Sequence, residues 1–244
     1  MIPGWLLLSA AGALLAGYLG AEQRLHRRGD RWPVSRSAAA VGAVVAVAAA
    51  GLLPVRSALE ETAVHLLVTM AAPLLLALSA PVSLVLRTVT GPARAGVVAV
   101  LHSRWARTVT WLPLATALEA GGLCLYYLAP LPHGWHGPLT VHMVLAGYLF
   151  SAVLVGPDPV PRRPGILPCS LALLFVFAVH GVVAKLLYAA GEGTAAQLLY
   201  YGGDVVEIAT AVALFARWYR RSAPRPARGP VALQQLNPAD GRPR

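Results

Sequence analysis

The sequence predicts an all-α polytopic membrane protein with seven transmembrane helices, the N-terminus outside and the C-terminus in the cytoplasm. Seven apolar stretches are each close to the ~20 residues that a helix needs to cross a hydrocarbon core about 30 Å thick. Hydrophobic residues make up 57% of the 244 positions, and the mean hydropathy is +0.62, well above the values of soluble proteins. Basic residues also gather on alternate sides of these stretches, as they do in polytopic membrane proteins.

The apolar stretches give the spans in chain order. They cover residues 3–19, 38–54, 63–86, 109–130, 139–155, 166–188 and 195–215. The first stretch has no basic residue before it and five arginines after it, which is the reverse of a signal peptide, so we expect it to be retained as a span. Residues 222–244 are rich in proline and arginine. They predict a disordered basic cytoplasmic tail after a membrane domain of residues 1–221.

The basicity of the loops orients the spans. Eighteen of the 20 lysines and arginines fall on one side of the predicted membrane, and the exceptions are Arg56 and Lys185. Basic loops stay cytoplasmic, so this side is the inner one. The net charge of +10 is explained by topology, and we expect membrane lipids rather than nucleic acid as partners of the basic tail.

Histidines concentrate on the predicted outer half of the protein. His65 opens the third span, with Glu61 on the same helical face one turn earlier. His136 and His142 flank the start of the fifth span, and His180 lies in the outer half of the sixth. Neutral imidazole is the commonest metal ligand and suits copper and zinc. We therefore predict a metal site from these four histidines, supported by Glu61, while each histidine alone is also compatible with a hydrogen-bonded packing role.

Carboxylates occur near the middle of two spans. Asp204 and Glu207 share a face of the seventh span, and Glu119 lies in the fourth. Ionisable groups at this depth are functional by default, so Asp204 and Glu207 are compatible with a proton or cation relay or with pairing to Lys185 or the histidines. For Glu119 we favour a protonated structural carboxyl that forms hydrogen bonds across helices. The sequence contains no nucleophile elbow, phosphate loop, His-Glu-x-x-His motif or Cys-x-x-Cys motif, and we do not expect an enzyme.

Four segments carry a family pattern that extends from about Arg27 to Tyr219. They are the segment from His65 to Pro81, the segment from His142 to the Gly-Pro-Asp-Pro-Val-Pro-Arg-Arg loop at 156–163, His180-Gly-Val-Val-Ala-Lys-Leu-Leu-Tyr188, and Tyr200-Tyr-Gly-Gly-Asp-Val-Val-Glu207. Together they resemble the CtaG family of cytochrome c oxidase assembly factors. The resemblance implies a factor that matures the haem-copper oxidase by supplying copper to its catalytic subunit. This chain has Glu61, Tyr127 and Thr140 where many members carry histidine.

Two function hypotheses follow. The first is an assembly factor in the cell membrane, with the catalytic subunit of cytochrome c oxidase and a copper ion as its partners. The alternative is a metal or proton-coupled transporter that uses His180, Glu119, Asp204 and Glu207 as a relay. A carrier needs polar groups that continue to the inner face, and the inner halves of these spans are almost purely apolar. We therefore expect a one-sided site and favour the assembly factor.

Overall fold

The protein is helical throughout the part that its structure, a computed structural model, describes, namely residues 3–130, 132 and 134–222. The helices are α1 Gly4–Arg27, α2 Val34–Leu52, α3 Ala58–His65, α4 Ala72–Leu78, α5 Pro81–Thr88, α6 Gly91–His102, α7 Arg104–Val109, α8 Leu112–Leu128, α9 His136–Leu154, α10 Ile166–Ala189 and α11 Gly193–Ser222. A π-helical segment, Leu66–Ala71, joins α3 to α4. No strand occurs within the described ranges, and the predicted disordered tail lies outside them except for Ser222.

Six helical stretches within the described residues are long and apolar enough to cross a membrane. These are α1, α2, the continuous stretch Ala58–Leu78, α9, α10 and α11. Helix α8 is apolar but has only 17 residues, and it packs between α9 and α10. Large apolar side chains on the outer faces, such as Leu167, Val205 and Val212, are more than half exposed, as lipid-facing residues are. The protein is therefore a membrane protein with at least six candidate spans; the seventh span and the orientation of the termini stay predictions.

The third span differs from the predicted stretch of residues 63–86. It begins earlier because Ser57 and Glu60 form a capping box, in which each side chain accepts a hydrogen bond from the other's backbone N–H. It ends at Leu78 because Ala80 adopts a left-handed conformation with φ of 58° and Pro81 starts a new helix, α5. Hydropathy cannot detect this break because both sides of it are apolar.

The loop before α10 holds this break in place. The buried carboxylate of Asp158 accepts hydrogen bonds from the backbone N–H groups of Val82, at 3.0 Å, and Ser83, at 2.7 Å. Arg163 in turn donates to the carbonyl oxygens of Gly156, at 2.6 Å, and Asp158. This loop, residues 156–163, thus caps α5 from a distant part of the same chain, with the carboxylate at the positive end of the helix.

A second anchor joins α1 to the same break. The indole N–H of Trp32 donates to the hydroxyl of Tyr18 at 2.9 Å, and that hydroxyl donates to the carbonyl of Ser79 at 2.9 Å. The guanidinium groups of Arg36 and Arg87 lie 4.7 and 5.7 Å from the Trp32 ring centroid. Cation–π contacts of this kind stabilise the basic end of the bundle, which the sequence predicts to be the inner one.

Two apolar layers fill the bundle formed by α3, α4 and α8 to α11. One layer contains Leu74, Phe150, Leu154, Leu173 and Leu214. The other, toward the predicted outer side, contains Leu66, Leu123, Met143, Val183 and Leu199. Most of the polar side chains described below lie in and above the outer layer, while Glu119 and Glu207 lie beside Leu74 and Phe150 of the other layer.

Candidate metal centre

The π-helical segment directly follows His65 and shapes its surroundings. Within it the backbone N–H of Ala72 donates to the carbonyl of Leu67, five residues earlier. Single π turns of this kind are rare and occur mostly at functional sites. Helix α9 approaches this turn closely at Gly147, where an added Cβ would lie 2.7 Å from the carbonyl oxygen of Thr69. A larger residue at Gly147 would therefore push α9 away from the turn.

The hydrogen bonds of Thr69 define the tautomer of His65. The Thr69 hydroxyl donates its one proton to the backbone carbonyl of His65 at 2.9 Å. The same oxygen lies 3.1 Å from His65 Nδ1, so it accepts the Nδ1–H proton. His65 Nε2 then carries a lone pair. The side chain is only 3% exposed, and Nε2 has no hydrogen-bond partner among the described residues.

His180, on α10, is similar: its Nδ1 has a partner and its Nε2 does not. Its Nδ1 lies 3.2 Å from Oε1 of Glu207, and this contact orients the ring. Nε2 of His180 is also buried without a partner in the described part of the chain. The Cε1 side of the ring contacts α11 at Gly203, where an added Cβ would be 2.3 Å from Cε1. Glycine is required there because any side chain would displace the imidazole.

The two imidazoles form a central pair at matched depth. His65 is seven residues from the start of α3 and His180 is nine residues from the end of α10, which places both roughly 10 to 14 Å below the predicted outer ends. Both face the same stretch of α11: an added Cβ at Gly202 would lie 2.5 Å from Leu66, the residue after His65, and one at Gly203 would lie 2.3 Å from the His180 ring. Both rings are oriented through Nδ1, and their buried Nε2 atoms have no partner in the described part of the chain, so they are candidate metal ligands.

Aromatic and acidic residues cover His65 on the predicted outer side. The Tyr126 hydroxyl donates to Oε1 of Glu61 at 2.7 Å, so Glu61 orients a tyrosine. The His65 ring centroid lies 5.6 Å from that of Tyr126 and 5.3 Å from that of Tyr127. A cavity of about 40 Å³ opens beside them, and Thr140 contributes to its wall. The three positions at which many family members carry histidine, Glu61, Tyr127 and Thr140, thus surround His65.

The other two predicted ligands use other partners. His136 is the first residue of α9, and its ring packs edge-on against Tyr126 at a centroid distance of 5.8 Å. His142 Nε2 donates to the carbonyl of Leu118 at 3.3 Å, which occupies that nitrogen. Among the described residues, no group of three or more His, Cys, Asp and Glu side chains is arranged to hold a metal ion. The structure therefore places His65 and His180 against the same stretch of α11, whereas His136 and His142 contact α8.

The three carboxylates predicted near the middle of the membrane also differ in their contacts. Glu119 and Glu207 line one cavity of about 30 Å³, together with Thr69. Asp204 is half-buried and lies one turn before Glu207 on α11. Glu207, and not Asp204, contacts His180. Sequence reasoning missed Thr69 and Gly203. The signal for Thr69 was its i, i+4 spacing from His65, since residues at this spacing meet on one helix face.

Comparison with known proteins gives the family context. A family model described as cytochrome c oxidase caa3 assembly factor matches residues 16–221. Uncharacterized proteins of Mycobacterium bovis and Mycobacterium tuberculosis are each 33% identical over 198 residues, covering 72% of this chain and 30% of theirs. One of Mycobacterium leprae is 30% identical over 193 residues, 71% of this chain and 29% of its own. The chain thus spans about a third or less of the curated relatives it matches. No solved structure matches it.

Proposed function

The chain belongs to the family of cytochrome c oxidase caa3 assembly factors, and we propose that it holds copper on the outer side of the cell membrane and delivers it to the catalytic subunit. In this role the protein binds the metal and passes it on, and it is not an enzyme. The partners are the oxidase subunit, the copper ion and the surrounding lipids.

One observation carries the proposal, the pair of buried Nε2 lone pairs of His65 and His180. Imidazole nitrogen is a good ligand for copper, and a carboxylate or hydroxyl on the other ring nitrogen orients each ring. An ionised Glu207 would supply one negative charge beside two neutral rings. A monovalent Cu(I) ion would make the set neutral, whereas a divalent ion would leave a net charge buried in the membrane at considerable cost.

A site with two ligands suits delivery better than storage. Zinc and copper centres that retain their metal generally have three or four protein ligands. Two imidazoles leave coordination positions that a ligand of the oxidase subunit can take, so the ion can pass from one protein to the other. We propose that His136, at the predicted outer end of α9, and His142, six residues further in, lie along this route.

Cu(I) binding by the purified full chain tests the proposal. We expect about one Cu(I) per chain, and we expect His65→Ala and His180→Ala each to weaken binding strongly, because either change leaves one imidazole. The double variant should be little worse than either single one, since the two ligands act as a unit. His102→Ala is a matched control, because His102 is in the predicted inner half and its Nδ1 bonds the carbonyl of Val98. Wild-type affinity in the double variant would refute the site.

The transporter hypothesis rests on a specific observation of its own, the cavity shared by Glu119 and Glu207. Further along α9 and α11 toward the predicted inner side, however, buried Leu154 and Leu214 fill the bundle, which argues against a continuous polar route through the described residues. Sealed vesicles that contain only this protein should therefore show little copper or proton flux. Flux that is abolished by Glu119→Gln or Glu207→Gln would favour the carrier instead.

A further inference from the structure

Three arginines converge at the predicted cytoplasmic end of the bundle. Arg163, in the loop before α10, donates to two backbone carbonyls of that loop. Arg217, near the end of α11, donates to the carbonyl of Leu154 at the end of α9. Arg221 lies one turn further along α11, and its charge acts on both other guanidinium groups. We call Arg163, Arg217 and Arg221 the arginine cluster.

The positive charge of this cluster is poorly compensated. The ion pairs in the part of the chain that the structure describes are His26–Glu22 and His180–Glu207, and neither involves an arginine. Asp158 is the carboxylate nearest to Arg163, but its oxygens accept the backbone N–H groups at the start of α5. Burial, together with the charges of Arg217 and Arg221, lowers the pKa of Arg163 to about 10, so it stays protonated at neutral pH.

The cluster also lies at the depth of lipid headgroups. Helix α11 has 30 residues and is therefore about 45 Å long, whereas the hydrocarbon core is about 30 Å thick. Its last turns thus extend into the interfacial region. Trp218 and Tyr219 are 47% and 72% exposed beside the cluster, and such aromatic residues are enriched at the membrane–water interface.

We propose that the arginine cluster binds the phosphate group of an anionic phospholipid in the cytoplasmic leaflet. A guanidinium group matches phosphate oxygens in a bidentate manner, and basic pockets between helices on this side of membranes bind anionic headgroups. Two of the three arginines are already fixed by backbone carbonyls, so little side-chain entropy is lost on binding. The lipid would then join α9, α11 and the loop that caps α5.

Two neighbouring variants test the proposal with equal change in net charge. The wild-type chain, purified in a mild detergent, is titrated with phosphatidylglycerol, and retained lipid is counted by native mass spectrometry. Arg221→Gln should weaken retention about fivefold, the factor that one basic residue contributes near an anionic surface. Arg220→Gln, the matched control, should change it little, because Arg220 is not part of the cluster. Both positions are exposed helix surface, so both variants should fold.

Two further measurements distinguish a lipid site from general surface charge and from a site for free anions. Zwitterionic phosphatidylcholine should bind the wild-type chain and Arg221→Gln equally, because it offers no net charge. Millimolar inorganic phosphate should not displace phosphatidylglycerol. If Arg220→Gln and Arg221→Gln lose equal amounts of retained phosphatidylglycerol, the effect is one of general surface charge. If inorganic phosphate displaces the lipid fully, the cluster is a site for free anions. Either result overturns the proposal.

Discussion

The Thr69 hydroxyl determines which nitrogen of His65 is available to a metal, and Thr69→Val tests this directly. Valine has nearly the shape of threonine, so the change removes the hydroxyl and leaves the packing in place. The Nδ1–H group of His65 then loses its acceptor, the oxygen 3.1 Å away. Because the ring is 3% exposed, water cannot replace that acceptor without entering the core.

The expected magnitudes follow from this geometry. Leaving a buried donor unsatisfied costs about 1–3 kcal/mol, which lowers the stability of the protein or drives the ring to rotate or change tautomer. Loss of an orienting partner of a metal-binding histidine typically weakens metal affinity by about 10- to 100-fold. We therefore expect Thr69→Val to weaken Cu(I) binding by a factor in this range while the protein still folds.

Competition with a Cu(I) chelator measures the affinity, and thermal unfolding in detergent measures the stability. Thr69→Ser keeps the hydroxyl and should bind nearly as the wild-type protein does. Thr116→Val is a matched control, because the buried Thr116 hydroxyl bonds the carbonyl of Leu112 in its own helix. If Thr69→Val binds Cu(I) with wild-type affinity, the assigned tautomer or the role of His65 is wrong.

Three other perturbations probe the fold and the site. Gly203→Ala should displace the His180 ring and weaken Cu(I) binding, because its Cβ would lie 2.3 Å from Cε1, whereas Gly121→Ala has no atom within 4 Å and should be neutral. Asp158→Asn should lower the unfolding temperature, because it replaces one of two acceptor oxygens with a donor and costs about 1–3 kcal/mol, while exposed Asp30→Asn should not. A reporter active only in the cytoplasm should be active after the end of α11 and silent in the loop between α8 and α9; activity at both points would refute seven spans.

Hydropathy and charge patterns predicted most of the fold, because lipid makes long apolar helices obligatory. The predicted fifth and sixth spans, 139–155 and 166–188, agree with α9 and α10 within three residues at each end. The split of the third span was not predictable from hydropathy. It depends on a left-handed Ala80 and on Asp158, which is 76 residues away from Val82 along the chain. Only the fold brings the cap and the helix together.

The sequence predicted the residue types of the candidate site and their depth, but not the hydrogen-bond partners of each side chain. The positions of His65, His136, His142 and His180 within the apolar stretches placed them in the predicted outer half. The direction in which each side chain points depends on the rotation of its helix and, for His65, on the π turn. Thr69 contacts Nδ1 of His65 at the i, i+4 spacing, a signal that sequence reasoning did not use, and no periodic pattern signals the π turn itself. Glu61 accepts a hydrogen bond from the hydroxyl of Tyr126, whose ring packs against His65, and the sequence did not identify this tyrosine as its partner.

The copper content of the assembled oxidase tests copper delivery by His65 and His180 most directly. Cells that carry His65→Ala together with His180→Ala should yield oxidase with less copper per haem than cells with the wild-type protein, at nearly unchanged total cell copper. Cells with His102→Ala should match the wild type. Full copper in the oxidase of the double variant would contradict delivery by this pair, as would a fall in total cell copper while the remaining oxidase is fully loaded.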